Sequence, residues 1–441
     1  MTATATRSPA STGSPKAPPR TAVLRTELRR GSGPWAGAAV AVTILVAMYG
    51  KAPGWQGRWA DATDLLHIAT GLLAGPLALA AGCWQGGRDR RRRVFELLGS
   101  VPRGRLRRTV LAVAPSALWP VAGYLPAAAV CLLATWPYVG GGRPYLELVA
   151  ADAVALAALG TLGHLVGRLV PWRLTAPLLA VAGYVGLGVP TYMQSSVRWL
   201  SPASEHSYAW HAPVWWFAPV SAVWTGGLAL AALLAYAARP ARLRLLAVVP
   251  LAAAIAAAAV ILRLPEDGPW RLDPGAARLV CDDGTPQICV TALDRRLLPD
   301  VSRALAPLNE RLRGVPGAPT RWVSSPNGPG PGETELPEPG LDAVRGRLTR
   351  PEVYASSAVQ HLFSATCESG SFEGPGAERA MTVNLAVITW LAPNPPDFGP
   401  DISEAQVYVD RLKAKSPAGQ RAYLTRYLAA DTCRPEEVPI P

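Results

Sequence analysis

The chain has 441 residues, 50% of them hydrophobic and only 17% charged, below the roughly 25% charged content of soluble domains, which argues against a wholly soluble enzyme. Its formal charge of +12 rests on 39 Arg and 4 Lys beside 44 Pro and 41 Gly, a bias of GC-rich coding, so the bare charge is poor evidence for nucleic acid and no nucleic-acid partner is expected. Residues 1–262 carry 24 basic and 8 acidic side chains and residues 263–441 carry 19 and 23, the asymmetry expected when positive charge collects in the cytoplasmic loops of a membrane protein.

Residues 1–22 are rich in Ser, Thr and Pro, with none of the apolar run a secretory leader needs, and are expected to be a disordered cytoplasmic tail. A membrane domain is expected over 23–262. Apolar runs lie near 34–49, 64–84, 109–136, 147–167, 174–191, 213–237 and 245–262, to be compared with the ~20 helical residues that cross a hydrocarbon core. The first and fifth are short or interrupted, and Pro115, Pro120 and Pro126 punctuate the third, so one of these is a candidate for a kinked or re-entrant segment.

The loops set the orientation. With the N-terminus inside, segments 1–33, 85–108, 168–173 and 238–244 hold 20 basic residues, while 50–63, 137–146 and 192–212 hold four; the excess belongs on the cytoplasmic side. Trp55, Trp59, Trp136, Tyr138, Trp199, Tyr208, Trp210, Trp215 and Trp216 cluster where the outer headgroup region is then expected. Seven crossings deliver residues 263–441 to the outside. The fold class read from the sequence is thus a polytopic α-helical membrane protein of six or seven spans with an extracytoplasmic α+β domain.

Within that domain, Leu279–Cys281 and Ile288–Val290 flank Asp282–Pro286 as a strand, turn and strand. Leu298, Val301, Leu305, Leu308 and Leu312 recur at helical spacing. Helices are also expected at 351–365 and 404–430, and the Pro/Gly-rich stretch 314–340 reads as a loop or linker. Four of six cysteines, Cys281, Cys289, Cys367 and Cys433, fall here, as an oxidising compartment allows. The hairpin favours Cys281 with Cys289, leaving Cys367 with Cys433. A structural zinc site, whose ligands usually come in close pairs, fits these spacings less well, and no metal is expected.

Motifs for autonomous chemistry are missing. Gly50-Lys51 is followed by Ala52, so no phosphate-binding P-loop forms there, and neither a His-Glu-x-x-His helix nor a Gly-x-Ser-x-Gly elbow occurs. Glu205, His206 and His211 share a loop that reads as solvated more readily than as a metal site. Asp64, Glu147 and Asp152 lie near span ends and read as solvated boundary residues before they read as a substrate or proton site. His67 and His164 lie deeper, either facing a translocation path or bonded to a neighbouring helix.

The loop 85–108 is the most informative stretch. Val94, Phe95, Leu97 and Leu98 give a short helix an apolar side, Glu96 and the arginines point elsewhere, and Pro102 ends it. A topology anchor needs the charge but not the apolar patch or the stop. The run Arg93 to Arg103, Arg-x-x-Glu-Leu-Leu-x-Ser-x-Pro-Arg, resembles the cytoplasmic coupling helix of type-2 ABC exporter permeases, especially actinobacterial ones. Leu24 to Arg30 similarly resembles their interfacial elbow helix, and the resemblance covers about 1–240.

The resemblance implies a coupling helix at 88–103, with Arg93, Phe95, Glu96, Leu97, Leu98, Ser100, Pro102 and Arg103 facing a separate ABC ATPase, and an elbow with Leu24, Glu27, Leu28 and Arg29 along the inner leaflet. It further implies a multi-pass bacterial plasma-membrane subunit, paired with a second copy or a second permease, that exports a hydrophobic or amphipathic substrate without a cofactor or an ATPase motif of its own. A seventh span, Leu245 to Leu262, and the exported domain depart from the family's six-span pattern. A membrane-anchored sensor or scaffold acting through its external domain is the alternative, and an intramembrane enzyme has the least in its favour.

Overall fold

A computed structural model describes residues 31–91, 104–205, 209–238, 244–265, 268–364, 376–392, 403–430 and 434–441. Helices dominate the first part: α1 (Gly33–Gly50), α2 (Trp59–Ala69), which runs through a π-helical turn at Thr70–Ala74 into α3 (Gly75–Gly86), α4 (Arg105–Thr135), α5 (Leu146–Leu169), α6 (Thr175–Gly188), α7 (Phe217–Ala237) and α8 (Val248–Ile261). Among the described residues, five stretches are long and apolar enough to cross a membrane, namely Gly33–Gly50, Trp59–Gly86, Arg105–Tyr138, Leu146–Leu169 and Phe217–Ala237. The other two expected runs form α6 and α8, apolar helices of 14 residues each. Exposed Val42, Val46, Leu133, Leu178, Val181, Val249 and Ile255 give the bundle the apolar exterior that lipid requires.

Pro115, Pro120 and Pro126 lie inside the continuous α4 and do not divide it. Proline is tolerated in spanning helices because neighbouring helices and local adjustments satisfy the freed carbonyls.

Glycine sets the helix spacing. Gly82 and Gly86 on α3 face Gly160 and His164 on α5, while Gly163 and Gly167 of α5 face Leu79 and Cys83. A Cβ at Gly86 would lie 2.0 Å from the His164 carbonyl oxygen, and one at Gly163 would lie 2.1 Å from that of Leu79. Both helices therefore carry the Gly-x-x-x-Gly spacing that lets backbones touch. Gly37 and Gly123 join α1 to α4 in the same way.

The C-terminal part combines helices with a mixed four-stranded sheet in the order β3 (Leu279–Cys281), β4 (Gln287–Thr291), β5 (Arg321–Val323), β6 (Glu333–Glu335). β3 and β4 form the expected antiparallel hairpin, and α9 (Leu298–Leu312) carries the chain to β5, which pairs parallel with β4. The stretch read as a linker instead contributes β5 and β6. Its Pro/Gly-rich residues 324–332 carry the short crossover between those two parallel strands, with Gly328 and Gly332 at positive φ. Helix α10 (Pro351–Ser364) falls where expected, α11 (Ala377–Leu391) was not anticipated, and Ser416-Pro417 divides the last run into α12 (Ser403–Ala414) and α13 (Pro417–Ala429). Val301, Leu305, Leu308, Trp322, Val383, Tyr423 and Tyr427 fill the core.

This domain rests on one end of the bundle. β1 (His211–Pro213) from the α6–α7 connection pairs antiparallel with β2 (Trp270–Leu272), just after α8. Leu264 and Trp270 pack with Trp199 and Phe217, so the first residues beyond 262 belong to the bundle's rim.

Candidate functional site

Arg93, Phe95, Glu96, Leu97, Leu98, Ser100, Pro102 and Arg103 lie outside the described residues, as do Leu24, Glu27, Leu28 and Arg29. Cys367 and Cys433 also lie outside them, whereas Cys281 and Cys289 are disulfide-bonded directly across the hairpin, with Cα atoms 4.0 Å apart.

The residues that flank the 92–103 stretch do have a defined setting. Arg91 stacks over Trp84, 4.5 Å from its ring, and donates to the Trp84 carbonyl. Arg105, at the start of α4, donates to the Tyr236 carbonyl at 3.1 Å and lies over the Tyr236 ring, tying α4 to the end of α7. Beneath them, Arg168 Nε donates to His164 Nε2 (3.2 Å), His164 Nδ1 contacts Ser116 Oγ (2.8 Å), and Ser116 Oγ donates to Gln85 Oε1 (2.9 Å). His164 thus follows the reading of a histidine bonded to neighbouring helices. Arg91 and Arg105, on either side of residues 92–103, thus both lie at this arginine-rich end of the bundle.

The opposite end meets the C-terminal domain. Arg58 donates twice to Asp294, Nε to Oδ1 at 2.7 Å and Nη2 to Oδ2 at 2.8 Å, with side-chain exposures of only 15% and 9%. Burial disfavours the charged guanidinium, but Asp294 and then Asp61 outweigh it and raise the Arg58 pKa above its ordinary value. Arg345 donates from Nε to Gln56 Oε1 (2.7 Å) and stacks over Tyr138. A cavity of about 240 Å³ lies between the rim and the domain, bordered by Gln56, Arg58, Asp61, Tyr138, Asp294 and Glu338. Trp136 and Trp215 are exposed near this end, but Trp55 and Trp199 are buried and so are not headgroup residues. The Trp55 indole donates to the Met48 carbonyl at the end of α1.

A third constellation lies inside the bundle. Asp152, 2% exposed, accepts from His67 Nδ1 at 2.6 Å and from the Tyr124 hydroxyl at 2.9 Å. This corrects the reading of Asp152 as a solvated boundary residue: α5 begins at Leu146, which places Asp152 between α2 and α4. Glu147, by contrast, sits at the helix start and is held by both terminal nitrogens of Arg143. The signal was in the sequence, an acid set within Ala-Ala-Asp-Ala-Val-Ala-Leu, where only a partner offsets the cost of burial. Among the described residues no group of three or more His, Cys, Asp or Glu is placed to hold a metal ion; His206 is outside them.

Compared with family models, with curated proteins and with solved structures, the chain has no match in any of the three.

Proposed function

We propose that the chain is the membrane-spanning permease subunit of an ABC-type export system, driven by a separate ATPase that docks on the 85–108 loop. The supporting observation is polarity along the bundle: Arg91 and Arg105, which flank the 92–103 stretch, stand at one end, and the Arg58–Asp294 pair fastens the C-terminal domain to the other. By the positive-inside rule the arginine-rich end belongs in the cytoplasm, where an ATPase reaches Glu96, Leu97 and Leu98. The C-terminal domain is then extracytoplasmic, in keeping with the Cys281–Cys289 disulfide, and α6 and α8 complete seven crossings in a bacterial plasma membrane. A second copy or a second permease completes the translocation path.

Purification of the full chain in mild detergent, with mass spectrometry of co-purifying proteins, tests this reading. A P-loop ATPase is expected with the native chain and not with Glu96→Arg, Leu97→Asp; recovery of no ATPase with a folded native chain overturns it. A reporter fused after Pro441 is expected to be active only outside the cell.

A second reading, a membrane-anchored sensor or scaffold, draws on the same junction. Arg58–Asp294, Arg345–Gln56 and the β1–β2 pair give a ligand on the C-terminal domain a direct hold on the bundle.

A further inference from the structure

The connection after α6 does not stay on the surface. Its residues Pro202 and Ala203 press against Gly71 in the π-helical turn, where a Cβ would meet the Pro202 carbonyl oxygen and the Ala203 Cβ at 2.5 Å. A π turn inside an α-helix costs hydrogen-bond regularity and is frequent at functional sites. Here it begins three residues after His67, at Thr70, and makes room for the inserted loop. Between loop, α2, α5 and α7 lies a cavity of about 20 Å³ bordered by His67, Asp152, Trp199, Ser221 and Thr225, above the ~10–15 Å³ that one water requires. Two polar atoms on its border residues, Trp199 Nε1 and Ser221 Oγ, are buried without a hydrogen-bond partner among the described residues, and Trp199 is only 2% exposed. Buried polar atoms are nearly always satisfied by protein or by ordered water.

We propose that this cavity admits water from the end of the bundle bearing the C-terminal domain, and that His67 and Asp152 form an intramembrane proton-binding site loaded and unloaded through it. Nδ1 of His67 is committed to Asp152, and the second carboxylate oxygen to Tyr124, so the exchangeable proton is the one on Nε2. On release the Nε2–H bond breaks and cavity water takes the proton; on loading, hydronium returns it and leaves water behind. With Nε2 protonated, imidazolium and carboxylate sum to zero charge. Without it one negative charge remains in a low-dielectric interior, which is costly, so proton occupancy biases how α2 packs on α5.

Among the described residues, other ionisable groups around the pair are few. Asp64 lies about one turn earlier on α2, Tyr124 and Cys131 come from α4, and Glu147 on α5 is engaged by Arg143. Helices α1 and α7 bring no Asp, Glu, His, Lys or Arg, and Arg198 of the inserted loop lies over the Trp199 ring at 4.4 Å. The site depends on the bundle spanning a bilayer, not on which ATPase or partner it engages.

The test uses the full chain, labelled with ¹⁵N-histidine, in lipid nanodiscs. One imidazole resonance, lost in His67→Gln, is expected to titrate within the pH range over which the chain stays folded. Asp152→Asn, which keeps the shape and removes the charge, is expected to lower its midpoint by at least about one pH unit and supplies the assignment should His67→Gln fail to fold. Trp199→Phe with Ser221→Ala removes the atoms that hold water and is expected to slow deuterium exchange at that imidazole severalfold. A His67 resonance that stays fixed across the range, or exchange as fast in the double variant as in the native chain, overturns the proposal.

Discussion

Where α3 meets α5 the contact is backbone on backbone, Gly86 against the His164 carbonyl and Gly163 against that of Leu79, whereas α9 meets the sheet of the C-terminal domain through Leu305, Leu308 and Trp322. The difference follows from the solvent each part is built for. Lipid tails are as apolar as leucine, so helices in a bilayer gain nothing by hiding leucine from them and are held by close approach and interhelical hydrogen bonds. The C-terminal domain buries large side chains from water and gains the hydrophobic term. Polar contacts divide likewise: Asp152, His67 and Tyr124 join three helices in the interior, while Arg321–Glu333 and Arg350–Asp342 lie at the surface of the other part.

The contrast breaks most severely at the helix contact. Gly86→Ala adds one methyl, but its Cβ falls 2.0 Å from a backbone oxygen that cannot swing aside, so the cost is expected at or above the ~3 kcal/mol upper end of overpacking. The bundle should lose thermal stability in detergent while the C-terminal core persists. Gly186→Ala on α6 meets nothing within 4 Å and should be close to neutral; equal losses in the two variants would sink the backbone-contact argument. Leu305→Ala makes the opposite cut. Leu305 is fully buried, and truncation is expected to cost ~2–5 kcal/mol, read as faster amide exchange in α9 and α13 with the bundle unchanged.

Arg58→Ala tests the junction between the two regions. Removing one partner of a buried pair leaves the other charge unpaired, at ~3 kcal/mol. The C-terminal domain is expected to become more sensitive to protease in the full chain. Because the double variant Arg58→Ala, Asp294→Ala leaves no orphan charge, it should recover part of the loss; a strictly additive double variant would show that the two side chains do not act as a pair.

The helical membrane character was legible in residues such as Leu148 to Leu169, because lipid demands long apolar runs and little else has them. The hairpin was equally legible: short apolar strands flank Asp-Asp-Gly-Thr-Pro and place Cys281 opposite Cys289. β5 and β6 were hidden because three-residue strands between proline and glycine carry no period, and their pairing is fixed by α9 and the core rather than locally. The glycine contacts had a signal that was missed, Gly82 with Gly86 and Gly163 with Gly167, a spacing that composition alone obscures in a chain with 41 glycines. The His67–Asp152–Tyr124 cluster needed a third dimension, since its members are 28 or more residues apart. For the docking residues, Glu96 and Leu97 among them, the sequence offers an apolar side, a stop at Pro102 and the family resemblance.

The smallest expected effect lies at the sheet edge. Arg321 reaches both disulfide sulfurs, Nε to Cys289 Sγ at 3.1 Å and Nη2 to Cys281 Sγ at 3.3 Å, and pairs through Nη1 with Glu333 Oε1 at 3.0 Å. The Gly330 backbone N–H, donating to Glu333 Oε2, lowers the Glu333 pKa; slight burial opposes this, and Arg321 adds to the lowering. A carboxylate whose folded pKa lies below its unfolded value of ~4.3 stabilises the fold above that value, and the contribution is lost as pH falls through the folded pKa. The C-terminal domain should therefore lose a small part of its stability below about pH 4, small because water screens an exposed pair. Glu333→Gln should give up that increment at neutral pH and flatten the acid limb of the domain's melting curve, leaving the bundle's curve unchanged. An acid limb as steep in Glu333→Gln as in the native chain would assign the acid sensitivity to another carboxylate.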